Sequence, residues 1–191
     1  MTSPTRLPVL LSLALVLLAC PSLSTAGKGV GEVDIPKVIP LNPEQLQRMR
    51  ALVRSDPEAA ALAAEMREAA EPHLLTEPRP LVVIHYEGLV NTDPKRLATV
   101  KNLADMRYAG YLYRHWQASG DRGAERALRR HILAWADTYQ VTGNDVNENK
   151  FHPLLCAYAS LRDTFFPDER ERVDAWVEAL AREHVRAVEN P

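Results

Sequence analysis

Two side chains near the middle of this 191-residue chain have types that suit proton transfer. His85 and Tyr86 directly follow an apolar run, Leu81–Ile84, and Gly88 comes just after them. An imidazole and a phenol at the end of an extended segment can serve as acid and base if they face a cleft. The alternative is an ordinary loop with one packed tyrosine.

A second group recurs at spacings of three and four residues, which places it on one face of a helix. Its members are Arg107, Tyr111, Arg114 and His115. Arginine pairs with carboxylates through two parallel hydrogen bonds, and aromatic rings can stack on sugar rings. The stripe therefore predicts a surface for an anionic, hydroxylated ligand, and the alternative is a solvated helix face with a half-buried tyrosine.

A third group lies in the polar stretch 140–152 and includes Asn147 and Lys150. Loops held by rigid helices often carry function, but asparagines also serve as ordinary capping and turn residues. The six histidines lie at positions 73, 85, 115, 131, 152 and 184, and none forms a pair one helical turn apart. Since the chain also lacks a phosphate-binding glycine loop and the HExxH pattern, we expect neither a metal nor a cofactor.

Helix start signals occur throughout the region that must position these groups. Asn42-Pro43-Glu44-Gln45 predicts a capping box, and Asp56-Pro57 and Asp93-Pro94 repeat the cap-proline pattern. After the start at Asn42, helices are predicted over 56–70, 93–118, 122–139, 153–165 and 167–188. The short breaks between them predict an all-α fold of antiparallel helical hairpins, which stack as a bundle, a solenoid or an α/α toroid.

The first 26 residues have the character of an export signal, with Arg6 before an apolar run from Leu7 to Ala19. The signal ends either in ordinary cleavage before Gly27 or in a lipobox at Cys20, which would then be acylated. Residues 27–41 are predicted to be an extended lead-in. We therefore expect an exported protein, periplasmic or secreted, or an outer-membrane lipoprotein held to the membrane only by its lipid.

Composition excludes further classes of protein. The net charge of −2 gives no electrostatic reason to bind nucleic acid. Two cysteines cannot build a disulfide scaffold, and Cys156 lies in an apolar helical run, which predicts a buried structural thiol.

Over residues 78–188 the sequence resembles the helical-toroid alginate lyases, exported enzymes that cut uronic-acid polysaccharides by β-elimination. The run Leu81–Gly88 is similar to the family's apolar run ending in Lys-Tyr-Glu-Gly. The block from Leu103 to Ala136, with its glycine break and its Ala-Trp-Ala, resembles two successive helices of the family. Further similarity lies in Asp145-Val146-Asn147, Ala157–Leu161 and Asp174-Ala175-Trp176.

The resemblance implies that 42–191 is part of an (α/α) toroid, incomplete at its C-terminus. It implies that His85 and Tyr86 touch a sugar carboxylate, and that Asn147 and Lys150 lie at the edge of a groove. The residues implied to line that groove are Arg107, Tyr111, Arg114 and His115.

The sequence also departs from the family pattern. The family's lysine is replaced by His85, and the histidine that follows its loop asparagine is replaced by Glu148. The family's Asn-His pair, its arginine and its catalytic tyrosine would lie beyond the position of Pro191.

The leading expectation is therefore a lyase-like protein acting on alginate or a related uronate polymer. The alternative is a non-catalytic carbohydrate-binding or scaffolding lipoprotein, and a third is an exported helical protein with no glycan ligand. An incomplete toroid would expose apolar helix flanks, so self-association is also expected.

Overall fold

A computed structural model describes residues 34–189 of the chain, and the predicted signal segment with Cys20 lies outside them. Residues 34–41 form no helix or strand. The eight α-helices that follow are α1 (Pro43–Ser55), α2 (Pro57–Ala70), α3 (Pro94–Asn102), α4 (Ala104–Ser119), α5 (Arg122–Thr138), α6 (Asp145–Glu148), α7 (His152–Leu161) and α8 (Pro167–Glu189). The described part of the chain contains no β-strand, which confirms the all-α prediction.

The helices begin where the sequence signals predict. Asn42 and Gln45 form the reciprocal capping box of α1, with both side-chain-to-backbone bonds at 2.9 Å. The carboxylate of Asp56 caps α2, and Asp121 caps α5 by accepting from the amide of Ala124 at 2.7 Å. Gly120, with a φ of 72°, ends α4 in the left-handed conformation that favours glycine. The two-residue break at 120–121 therefore folds α4 and α5 into a hairpin.

Helix α4 lies at the centre of the fold and packs against α1, α2, α5 and α7. The core beside it is aromatic. The ring of Phe151 meets the rings of Tyr139, Trp135 and Trp176 edge-on, with centroid separations of 4.6, 5.4 and 5.2 Å. Helical spacing predicts one apolar face with Leu128, Ile132, Trp135 and Tyr139, and another with Val173, Trp176, Val177, Leu180 and His184. These two faces supply the core: all of their residues are buried except Val177 and His184, which are half-buried.

The predicted single helix over 93–118 is wrong, because α3 ends at Asn102 and α4 begins at Ala104. The amide of Leu103 donates to Thr99, and its carbonyl accepts from the amide of Met106, so a new series of hydrogen bonds starts at this residue. The side chain of Leu103 is fully buried, as is that of Asp105 in the first turn of α4. Helical spacing also predicts one apolar face with Leu97, Val100, Ala104 and Tyr111, but Leu97 is 45% exposed and the other three are half-buried.

Three smaller features also differ from the sequence prediction or refine it. The apolar run Leu81–Ile84 forms neither a helix nor a strand, and the polar stretch 140–152 contains α6. Helix α7 ends at Leu161, four residues earlier than predicted, in a 3-10 turn over Arg162–Thr164. Cys156 is buried and unpaired, as predicted. None of the helices in residues 34–189 combines the length and the apolar character needed to cross a membrane.

Candidate functional site

The segment 79–87 forms neither a helix nor a strand, and side chains and backbone groups from other elements hold it in place. The amide of Arg79 donates to the carboxylate of Asp105 at 2.6 Å, and the carbonyl of Val82 accepts from the amide of Gln140 at 2.9 Å. The amide of His85 donates to the hydroxyl of Thr99 at 3.2 Å. Because these bonds come from α3, α4 and the end of α5, the segment is fixed without being part of a sheet.

Asn147, in the short helix α6, fixes the end of this segment. Its amide nitrogen donates to the carbonyl of Ile84 at 3.1 Å, and its amide oxygen accepts from the backbone of Glu87 at 3.0 Å. Both ends of the side chain are thus engaged with backbone groups, and the residue is buried. Asn147 therefore positions the backbone on both sides of Tyr86.

Two cationic groups lie over the ring of Tyr86. The guanidinium carbon of Arg96 lies 3.9 Å from the ring centroid, and the ammonium nitrogen of Lys150 lies 4.9 Å from it. Cations over a tyrosine face are attracted by the negative charge of its π-system. We call Tyr86, Arg96, Lys150 and the Asn147 that positions them the Tyr86 cluster.

Arg96 is fixed by the segment that it covers. One of its terminal nitrogens donates to the carbonyl of Tyr86, and its Nε is buried without a hydrogen-bond partner. Glu87 also belongs to this surface, and its carboxylate accepts from the side chain of Asn144. The surface thus presents the cations of Arg96 and Lys150 together with the carboxylate of Glu87, and the side chain of His85 is exposed beside them.

Sequence reasoning missed Arg96, although a signal for it was present. It is the third residue of α3, where the positive end of the helix dipole disfavours cations. An arginine at such a position suggests an interaction that offsets this repulsion, and here the tyrosine ring and a backbone carbonyl supply it.

The predicted stripe on α4 is divided by the structure. Tyr111 is half-buried and lies 6.0 Å from the ring of His73, which also stacks on Tyr108 at 3.9 Å. Burial, with the nearby charge of Arg107 and with His131, lowers the pKa of His73. Arg107 is half-buried and Arg114 is exposed. These contacts are with the turn after α2, whereas the Tyr86 cluster is built on α3 and the stretch 144–150.

His115 does not share the exposed surface of Arg114. It is only 6% exposed, and its Nδ1 is buried without a hydrogen-bond partner. Burial lowers the pKa of His115, and the charge of Arg67 on α2 acts in the same direction, against Asp121 and Glu71. The helical spacing was correct, but four helices surround α4 and cover the side on which His115 lies.

Within residues 34–189, no group of three or more histidine, cysteine, aspartate or glutamate side chains could hold a metal ion. Neither a family model nor a curated protein nor a solved structure matches this chain significantly.

Proposed function

We propose that this protein binds an acidic, uronate-type polysaccharide at the Tyr86 cluster. The observation that carries the proposal is the pair of cations held over one half-buried tyrosine ring. A uronate presents a carboxylate, hydroxyl groups and an apolar ring face. Guanidinium and ammonium groups bind the first two, and the edge of an aromatic ring packs against the third.

Pre-organisation supports this proposal. Because Asn147 fixes the backbone on both sides of Tyr86, little conformational entropy remains to be lost when a sugar binds. Arg96 is likewise oriented by its bond to the carbonyl of Tyr86. An exported location, expected from residues 1–26, would expose the cluster to polysaccharides outside the cytoplasm.

Binding is better supported than cleavage. A lyase must neutralise the uronate carboxylate before a base can remove the proton beside it. Asn147, the loop residue implied by the alginate-lyase resemblance, is engaged at both ends with the backbone of the protein. It therefore acts here as a positioning residue.

Cleavage by β-elimination is the second candidate, and the placement of His85 and Tyr86 favours it. The two are adjacent at the end of a fixed segment, with His85 exposed and Tyr86 half-buried. In that case the cations of Arg96 and Lys150 would neutralise the carboxylate, and the imidazole and phenol would exchange protons with the sugar.

The test compares fluorescent alginate oligomers with a neutral polymer, pullulan, by affinity electrophoresis of the full chain. We expect retardation of the alginate only. Lys150→Met and Tyr86→Leu should each weaken binding about tenfold, which corresponds to ~1.4 kcal/mol. The matched control is Lys37→Met, which removes one exposed cation from the lead-in and should leave binding unchanged.

Ultraviolet absorbance of the same alginate distinguishes the two candidates, because β-elimination creates an unsaturated sugar. Absorbance that grows with time, and is lost in His85→Ala and Tyr86→Phe, would establish cleavage. Binding without growing absorbance would establish a carbohydrate-binding protein. Equal retardation of alginate and pullulan, or equal effects of Lys37→Met and Lys150→Met, would refute the proposed site.

A further inference from the structure

A second concave site lies between the α6–α7 region and the C-terminal half of α8. This cleft has a volume of about 610 Å³, within the range of pockets that take small organic molecules. Its apolar lining comes from Leu155 of α7 and from Val177, Leu180 and Ala181 of α8. Its polar lining consists of Asp145, Glu148, Asn149, His152 and His184.

The buried carboxylate of Glu148 accepts hydrogen bonds at both of its oxygens. Its Oε1 accepts from the hydroxyl of Tyr139 at 2.9 Å and from the amide and hydroxyl of Thr142 at 2.6 and 2.9 Å. Its Oε2 lies 2.9 Å from Nε2 of His184. Burial and the charge of Glu148 raise the pKa of Tyr139, so its hydroxyl keeps the proton that it donates.

The Glu148 carboxylate also orients His184. A carboxylate only accepts hydrogen bonds, so Nε2 of the imidazole carries a proton and donates it to Glu148. The His184 side chain is 34% exposed where it lines the cleft, whereas that of Glu148 is fully buried.

Asp145 is the exposed carboxylate of the cleft, because the side chain of Glu148 is fully buried and its oxygens already accept bonds from neighbouring residues. Neither lysine nor arginine occurs among the described residues that line the cleft. The nearest arginines along α8 are paired with other acids, Arg182 with Glu178 and Arg186 with Glu183. Apolar side chains beside an exposed carboxylate favour a ligand with an apolar body and a positively charged donor.

We infer that this cleft binds a small organic amine, with its apolar body against α8 and its ammonium group at Asp145. The cleft and the Tyr86 cluster have different lining residues, and the inference does not depend on polysaccharide binding. The expected ligand is cationic because the cleft is lined by the exposed carboxylate of Asp145 and by neither lysine nor arginine among the described residues.

Three isosteric probes test the inference: 4-phenylbutylammonium, the neutral 4-phenylbutanol and the anionic 4-phenylbutyrate. Each is titrated into the full chain while the ring resonances of His184, assigned with His184→Gln, are followed by NMR. We expect saturable shifts with the amine, affinity for the alcohol at least about tenfold weaker, and no binding of the carboxylate.

Variants locate the probe and its charge preference. Ala181→Phe fills the cleft from an exposed position and should abolish the shifts without affecting the fold. Asp145→Asn should reduce the preference for amine over alcohol, whereas Asp168→Asn, an exposed acid at the start of α8, should not.

Several results would overturn the inference. They are equal affinity for amine and alcohol, amine binding that survives Ala181→Phe, and a charge preference that Asp145→Asn and Asp168→Asn change equally. A cleft covered by a second copy of the chain would also overturn it. That arrangement would appear in sedimentation as a dimer, with shifts of His184 on dilution and none with the amine.

Discussion

Two adjacent residues, Asn147 and Glu148, organise the Tyr86 cluster and the cleft between α6, α7 and α8. The cluster contains the cations of Arg96 and Lys150, whereas the cleft is lined by carboxylates. Asn147 holds the backbone beneath two cations, and Glu148 gathers four donors at the edge of an acidic cleft. An amide both donates and accepts, so it can bridge a backbone amide and a carbonyl, whereas a carboxylate only accepts. Asn147 thus joins the short helix α6 to the segment 79–87, and Glu148 joins it to α8.

Removing the carboxylate of Glu148 should give the largest effect. Glu148→Ala leaves the buried hydroxyl of Tyr139 and the amide of Thr142 without an acceptor. We expect a loss of about 3 kcal/mol or more in the free energy of unfolding, measured by urea denaturation. Glu148→Gln should lose less because it keeps one acceptor oxygen. If Glu148→Ala cost less than about 1 kcal/mol, the carboxylate would not organise the cleft.

Asp105 binds the start of the segment 79–87, much as Glu148 binds residues at the edge of the cleft. Its Oδ2 accepts from the amide of Arg79 at 2.6 Å and from the indole of Trp135 at 2.9 Å. Asp105→Ala should lower the free energy of unfolding by about 2–3 kcal/mol, since two donors lose their acceptor. A matched exposed change, Asp137→Ala, should cost well under 1 kcal/mol in the same denaturation experiment. Equal costs would show that the segment is held by its apolar contacts alone.

Substitution of Asn147 tests whether this residue positions the Tyr86 cluster for binding or only stabilises the fold. Asn147→Ala should cost about 1–2 kcal/mol, because the carbonyl of Ile84 and the amide of Glu87 lose their partners. It should also weaken alginate binding, measured by affinity electrophoresis at a temperature where the variant stays folded. Asn149→Ala, an exposed change on the same stretch, should do neither. Alginate binding that is unaffected in folded Asn147→Ala would separate Asn147 from the Tyr86 cluster.

The sequence predicted local structure better than it predicted the sites. The capping box at Asn42 and the apolar stripes of α5 and α8 follow from short-range rules, and the structure confirms them. The interruption between α3 and α4 at Leu103 could not be predicted, because it depends on burial of Leu103 and Asp105 against distant elements. Short-range patterns describe a helix but do not say how many of its sides other helices will cover.

The candidate site shows the same limit. His85, Tyr86, Asn147 and Lys150 were named from the sequence, and contacts link Lys150 to Tyr86 and Asn147 to its flanking backbone. His115 was named from helical spacing and is buried. Glu148 was noted only as a departure from a family pattern, and its pairing with His184 joins residues 36 positions apart. Such a pairing has no periodicity that a single sequence can reveal.

The smallest expected effect comes from a carboxylate at the surface, which sharpens the contrast with Glu148. Asp174 receives two bonds from Arg162, at 2.9 and 2.6 Å, and one from the hydroxyl of Tyr158 at 2.6 Å. Hydrogen bonds from Arg162, then from Tyr158, lower the pKa of Asp174 from 3.8 to about 2. The folded state therefore binds this proton less readily than the unfolded state. The resulting stability is fully present above about pH 4 and is lost as the pH falls towards 2.

The side chains of Arg162 and Asp174 are 48% and 36% exposed. We therefore expect their ion pair to contribute under about 1 kcal/mol to the free energy of unfolding. The check is the pH dependence of urea unfolding between pH 5 and 2 for Asp174→Asn and the unaltered chain. The variant should show the shallower decline, with a difference at pH 5 much smaller than the loss in Glu148→Ala. Asp174 has as many well-formed bonds as Oε1 of Glu148, so a large loss here would mean that bond number, rather than burial, sets the cost. A small loss would support burial as the reason that Glu148 contributes more to stability than Asp174, although each joins two elements.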